Sequence, residues 1–132
     1  MDEGASPGRS APPGWPPAVP PPGTAGWEQA AQRWLWGLLP DRYRRYSLLE
    51  RQPVVFARQV LLQMEAELVA LRKGYRSAQV DLAGLGMEPA VIEEALGLYA
   101  AEAERLQTLA QQTRLVTDAL VNGARRGRPA PG

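Results

Sequence analysis

Carboxylates are the first place to look for chemistry in this chain, because it contains no Cys and no His. Three close glutamate pairs occur, Glu65 with Glu67, Glu93 with Glu94, and Glu102 with Glu104. Two carboxylates that face one another can divide general acid and general base work. On a helix, residues one or two apart point in different directions, so these pairs do not converge. Ser6, Ser10, Ser47 and Ser77 all lie outside a G-x-S-x-G turn. The missing Cys and His remove the thiol nucleophile, the Ser-His-Asp triad, the zinc finger and the ordinary transition-metal site. Gly84 and Gly86 follow a helical pattern rather than a strand, so they do not form a phosphate-cradling loop. The expectation is a non-enzymatic protein with no catalytic, cofactor-binding or metal-binding residues.

Binding chemistry is better represented. Trp34, Trp36, Arg42, Tyr43, Arg44, Arg45 and Tyr46 fall within 13 positions. In one reading Trp27, Trp34 and Leu38 pack into a helical core, the arginines are solvated, and Trp36 points outward. In a second, aromatics beside cations lie at a membrane interface. In a third, tyrosines stack on single-stranded bases while arginines meet phosphates. The formal net charge of +1 weighs against nucleic acid, as does the acidic stretch 89–122. The tail Arg125, Arg126 and Arg128 reads as a solvated terminus or an anchor for an acidic partner.

These residues need elements to position them. The chain has 132 residues, enough for one small domain. Eight of its 13 prolines precede position 23. Residues 1–26 therefore read as a disordered, extended leader that favours polyproline II, with a PxxP spacing at Pro17–Pro20 and a lone Trp15. The acidic start, Asp2 and Glu3, lacks the features of a signal peptide. No apolar run reaches the roughly 18 residues of a transmembrane helix. A cytoplasmic protein is expected.

The remaining domain, 27–122, is expected to be all-α, with a disordered basic tail over 123–132. A first helix covers 27–39, with Trp27, Ala30, Ala31, Trp34, Leu35 and Leu38 on one face. Pro40 ends it. A second short helix covers 41–52 and stops before Pro53. From Val54, apolar residues recur at Ala57, Leu61, Met64, Leu68, Leu71, Tyr75, Ala78 and Leu82, at alternating steps of three and four. That is a heptad seam, and Pro53 suits the first helical position. This helix should cover 53–83, with Gly84 as its left-handed cap. Pro89 starts the last helix, 89–122, whose stripe runs through Ile92, Leu96, Tyr99, Ala103, Leu106, Ala110, Thr113, Val116 and Leu120. Two long helices joined by a short turn must be antiparallel neighbours. The fold is thus a long, coiled-coil-like antiparallel helical hairpin with one or two short N-terminal helices packed on its base.

The apolar stripe is broad over 54–71 and narrows over 72–82. Arg72, Lys73 and Arg76 are expected to lie opposite the glutamates of 93–104 and to support the register. A bare pair of helices buries one seam only, so Val80, Leu85, Met87, Val91 and Leu98 should stay partly exposed. Exposed apolar surface of this kind finds partners, often a second copy. The expected function is that of a small oligomerisation or adaptor protein, a homodimer that also meets a protein partner through its helical surfaces. The expected contact residues are Trp36, Tyr75, Leu82, Leu85, Met87, Val91 and Leu98. The alternative is a peripheral membrane or nucleic-acid binder that uses the 34–46 segment.

Overall fold

The computed structural model describes residues 11–127. The expected all-α hairpin is observed. The elements are α1 (Trp27–Trp36), a 3-10 turn (Asp41–Arg45), α2 (Ser47–Arg51), α3 (Pro53–Gly84) and α4 (Pro89–Gly127). The long helices α3 and α4 pack against each other. Pro53 and Pro89 stand at the first positions of α3 and α4, where a missing N–H costs no helical hydrogen bond. No helix among the described residues is long and apolar enough to cross a membrane.

The chain forms two compact units, one ending at Leu61 and resuming at Gln111, the other Leu62–Ala110. In the first unit, α1 buries Trp27, Ala31 and Leu35, each four residues from the last, and Leu39 continues the row. Trp34 and Leu38, expected in the core, are half-buried instead. The core is completed by Leu49, Phe56, Ala57, Val60, Val116, Leu120 and Thr113. Thr113 has no exposed surface, and its carbonyl accepts a hydrogen bond from the Thr117 hydroxyl at 2.7 Å. No buried side-chain nitrogen or oxygen among the described residues lacks a partner.

Three expectations for this unit change. The leader is not extended over its described part. Residues 11–26 make successive turns, with Trp15, Val19, Thr24 and Trp27 amides donating to carbonyls three residues back. Trp15, Pro16 and Val19 are buried. The Trp15 indole N–H donates to the Val19 carbonyl at 2.8 Å, and its ring lies 6.1 Å from that of Trp27. Prolines leave few donors to satisfy and little backbone entropy to lose, so a turn-rich strap can dock without a ladder. The segment 41–52 is two short pieces, because Tyr46 is extended at φ −96°, ψ 99°. That break lets Leu49 enter the core while Tyr46 stays outside. Finally, α4 does not stop at Asn122 but runs through Gly123 to Gly127, with Arg125 and Arg126 in its last turn. Cations there complement the helix dipole. Residues 1–10 and 128–132 lie outside the described residues.

In the second unit, Met64, Leu68 and Ala78 of α3 and Ile92, Leu106 and Ala110 of α4 are buried. The cap of α3 is two residues later than expected. Gly86, at φ 80°, takes the left-handed position, and Gly84 remains helical. The Met87 N–H donates to the Leu82 carbonyl and the Gly86 N–H to that of Ala83, both at 3.0 Å. This pair of bonds is a Schellman motif.

Trp15→Ala should therefore destabilise the protein by roughly 3 kcal/mol, as for other buried large-to-small changes. Urea unfolding followed by far-ultraviolet circular dichroism measures it. A change within a few tenths of a kcal/mol would mean that the strap does not belong to the core.

Candidate interaction surfaces

The Trp/Tyr/Arg segment is shaped by its own contacts. The Trp36 ring lies 4.3 Å from that of Phe56, and the Arg44 guanidinium lies over Trp36 at 5.2 Å. Trp36 is thus half-buried between Phe56 and Arg44, not directed outward as expected. Its phase on α1 misled because Phe56 of α3 covers the side of α1 that the stripe leaves open. Arg42 lies over Tyr43 and Arg45 over Tyr46, each at 5.0 Å. Arg44 also pairs with Asp41 at 3.5 Å. Three rings that a base or a headgroup layer would need already hold a guanidinium on one face. Trp34 stands beside them, half-buried. Tyr46, Leu48 and Val55 are the large apolar side chains of this unit that remain exposed.

A concavity of this unit, about 540 Å³, lies against the strap, with Trp27, Glu28, Asp118, Asn122 and Arg126 in its wall. No group of three or more His, Cys, Asp or Glu among the described residues is placed to hold a metal ion.

The unit Leu62–Ala110 offers more apolar surface. Leu62, Val69, Tyr75, Val80, Leu85, Met87, Val91 and Leu98 are all exposed. Among the residues of this unit expected to contact a partner, Leu82 is half-buried in the seam, as Trp36 is in the other unit, and the rest are exposed. The others divide by position. Leu85 and Met87 belong to the turn, Val91 and Leu98 lie one above the other at a spacing of seven on α4, and Tyr75 lies on α3.

Tyr75 was expected in the seam but is 48% exposed. The cause is Gly74. A Cβ at position 74 would stand 2.7 Å from a ring carbon of Tyr99, so the Tyr99 ring lies directly on the glycine backbone. Gly74 takes the inward place and Tyr75 is turned aside. The sequence signal was present, since a mid-helix glycine costs about 1 kcal/mol relative to alanine and calls for a packing reason.

Turning Tyr75 aside opens a notch of about 290 Å³, lined by Leu71, Arg72, Tyr75, Arg76, Tyr99, Ala100 and Ala103. Its lining is apolar, and Arg72 and Arg76 are among its wall residues. Along the same face Gln79 and Glu93 line a second depression of about 320 Å³. Glu93 is seven residues before Ala100 and Glu104 four after it, so both share the notch side of α4.

The expected pairing of Arg72, Lys73 and Arg76 with the glutamates of 93–104 is absent among the described residues. An ion pair of this unit joins Arg105 with Glu102, one turn apart on α4, with the Arg105 Nε 3.0 Å from a Glu102 oxygen. That hydrogen bond holds the Glu102 carboxyl below the usual carboxylate range. It also raises the Arg105 guanidinium, helped by the charge of Glu67 on α3. The cross-helix attraction thus joins an α3 glutamate to an α4 arginine, on the side of α4 away from the notch. Arg72, Arg76, Glu93 and Glu104 make no ion pair among the described residues.

No protein-family model, curated protein or solved structure matches the chain.

Two outcomes follow. Gly74→Ala should lower stability despite alanine's higher helix propensity, by about 1–3 kcal/mol for an overpacked contact. In a Tyr99→Ala background the same change should stabilise by up to about 1 kcal/mol. Urea midpoints for the four proteins of this cycle decide it, and equal effects in both backgrounds would refute the contact. Arg105→Gln should move the Glu102 titration to higher pH in a carbon-13 spectrum. The sign follows from its depressed value: the pair contributes when Glu102 is ionised and is lost as pH falls through the acid range. A titration that does not move would contradict the pairing.

Proposed function

We propose that this protein is a non-enzymatic helical interaction protein that works by associating through the surface of its Leu62–Ala110 unit, first of all with another copy of itself. The observation that carries the reading is the run of exposed large apolar residues on this unit. Val69, Tyr75, Val80, Leu85 and Leu98 are between 48% and 75% exposed, although the unit holds only the facing parts of α3 and α4 and the turn between them. Exposed apolar surface in water favours association in proportion to the area it removes from solvent.

The glutamate pairs support no competing catalytic reading. Glu102 is engaged by Arg105, and each pair lies at a helical spacing that does not let its two carboxylates converge on one substrate atom. The Trp/Tyr/Arg segment is the weaker contact candidate, because its arginines lie over its own rings.

Light scattering coupled to size exclusion, on the full chain at about 5 and 100 µM and at two salt concentrations, tests the reading. A dimer or larger species that grows with concentration is expected. A single monomeric species across this range would overturn self-association as its function.

A further inference from the structure

We infer that the notch face of the Leu62–Ala110 unit is a self-complementary docking surface on which a second copy lays its α4 over α3 of the first. This rests on the self-association reading above and specifies its geometry. The arrangement of charge carries it. On this face α3 presents Arg72 and Arg76, which are exposed and stand in the wall of the notch. The neighbouring α4 presents Glu93 and Glu104, and none of the four makes an ion pair among the described residues. At the level of the notch α3 is thus basic and α4 acidic, while Glu65, one heptad before Arg72 on the same side of α3, already has a partner.

Charge then selects the symmetry. Two copies can meet face to face about a two-fold axis in two ways. An axis lying across the helices puts α3 on α3 and α4 on α4, which sets Arg72 and Arg76 against their own copies and Glu93 and Glu104 against theirs. An axis lying along the helices puts α3 on the second copy's α4. Gly74 lies against Tyr99, so Arg72 is level with about position 101 and Arg76 with about position 97. Under the lengthwise axis each helix faces the other helix at the same level. Glu104 is then about three residues from Arg72 along the axis and Glu93 about four from Arg76, or roughly 5–6 Å at 1.5 Å per residue. Both offsets are within reach of an arginine and a glutamate extended toward each other. An isologous interface makes every such pair twice, so four ion pairs surround the joined apolar notches.

Gly97 is a second and independent pointer. It lies on the same side of α4, seven residues before Glu104 and three before Ala100. It sits inside a helix without positive φ, and a Cβ added there would meet nothing within 4 Å. Its own chain gives no packing or backbone reason for a residue that weakens the helix. With Ala100 and Ala101 it leaves a low strip on which α3 of a second copy, carrying Val69 and Tyr75, can come close.

Three full-length variants test this by light scattering coupled to size exclusion. R72E/R76E and E93R/E104R should each fall to monomer, with at least a tenfold weaker dimer, and an equimolar mixture of the two should restore a dimer. Gly97→Leu should also be monomeric, while circular dichroism shows helix content equal to or above that of the parent chain. If the parent dimerises but either reversal variant or Gly97→Leu dimerises equally well, or the mixture stays monomeric, the docking geometry is overturned and self-association stands. If the parent is itself monomeric, both fall together. Loss of helix content in the reversal variants would be resolved by Gly97→Leu, whose Cβ meets nothing within 4 Å in its own chain.

Discussion

An amphipathic helix in water persists only while its apolar stripe is covered, because most helical stability comes from packing rather than propensity. Here α3 and α4 cover each other, and every other feature is a response to how completely they do so. In the unit that contains the chain's N-terminal part, the stripe is wide, and Phe56, Ala57, Val60, Val116 and Leu120 are closed over by α1, Leu49 and the proline strap. The Leu62–Ala110 unit has only two helical segments and a turn. Two helices facing each other bury one seam, so any apolar residue off that seam meets water.

The Gly74–Tyr99 contact shows how one residue choice propagates. A side chain at position 74 would collide with the Tyr99 ring. Glycine lets the ring lie on the backbone, which draws position 74 into the seam and pushes Tyr75 out of it. The displaced Tyr75 becomes the wall of a notch whose lining includes Arg72 and Arg76. Those arginines make no ion pair among the described residues, whereas the opposite side of α4 satisfies its charges locally through Arg105, Glu102 and Glu67. The two sides of α4 therefore differ in kind, one closed electrostatically and one open.

Much of this was legible from residue order. The three-and-four spacing from Val54 to Leu82 gave the length and facing of α3, and Pro53 and Pro89 marked both long-helix starts, because those signals depend only on local periodicity and backbone chemistry. The exposure of Val80, Leu85, Met87, Val91 and Leu98 followed from counting available partners. What escaped was tertiary. A proline-rich stretch carries no period, so the burial of Trp15, Pro16 and Val19 depends on a surface that exists only once α1 and α4 are in place. Trp36 looked outward on its own helix, because its partner Phe56 belongs to another. Gly84 and Gly86 are equally able to end a helix, and only the bonds from Gly86 and Met87 back to Ala83 and Leu82 choose between them. The α4 extension past Asn122 and Gly123 needed the weight of Arg125 and Arg126 against a strong stop signal. Of the candidate contact surface, the exposed residues were readable but the notch was not, since it follows from Gly74 replacing Tyr75 in the seam.

The self-association proposed above would be coupled to folding in a molecule built this way. A unit that buries a single seam gains little from its own contacts beyond the entropy of ordering its helices. Any surface that binds the folded form and not the unfolded chain adds stability by mass action, RT ln(1 + [L]/Kd) for free partner at concentration [L]. A second copy supplies that partner at the protein's own concentration. The exposed Val69 and Tyr75 and the unpaired Arg72, Arg76, Glu93 and Glu104 are then not defects of a lone helix pair. In the proposed self-association they are the half of a packing arrangement that one chain leaves open, and the sign pattern of their charges allows the missing half to be the same chain.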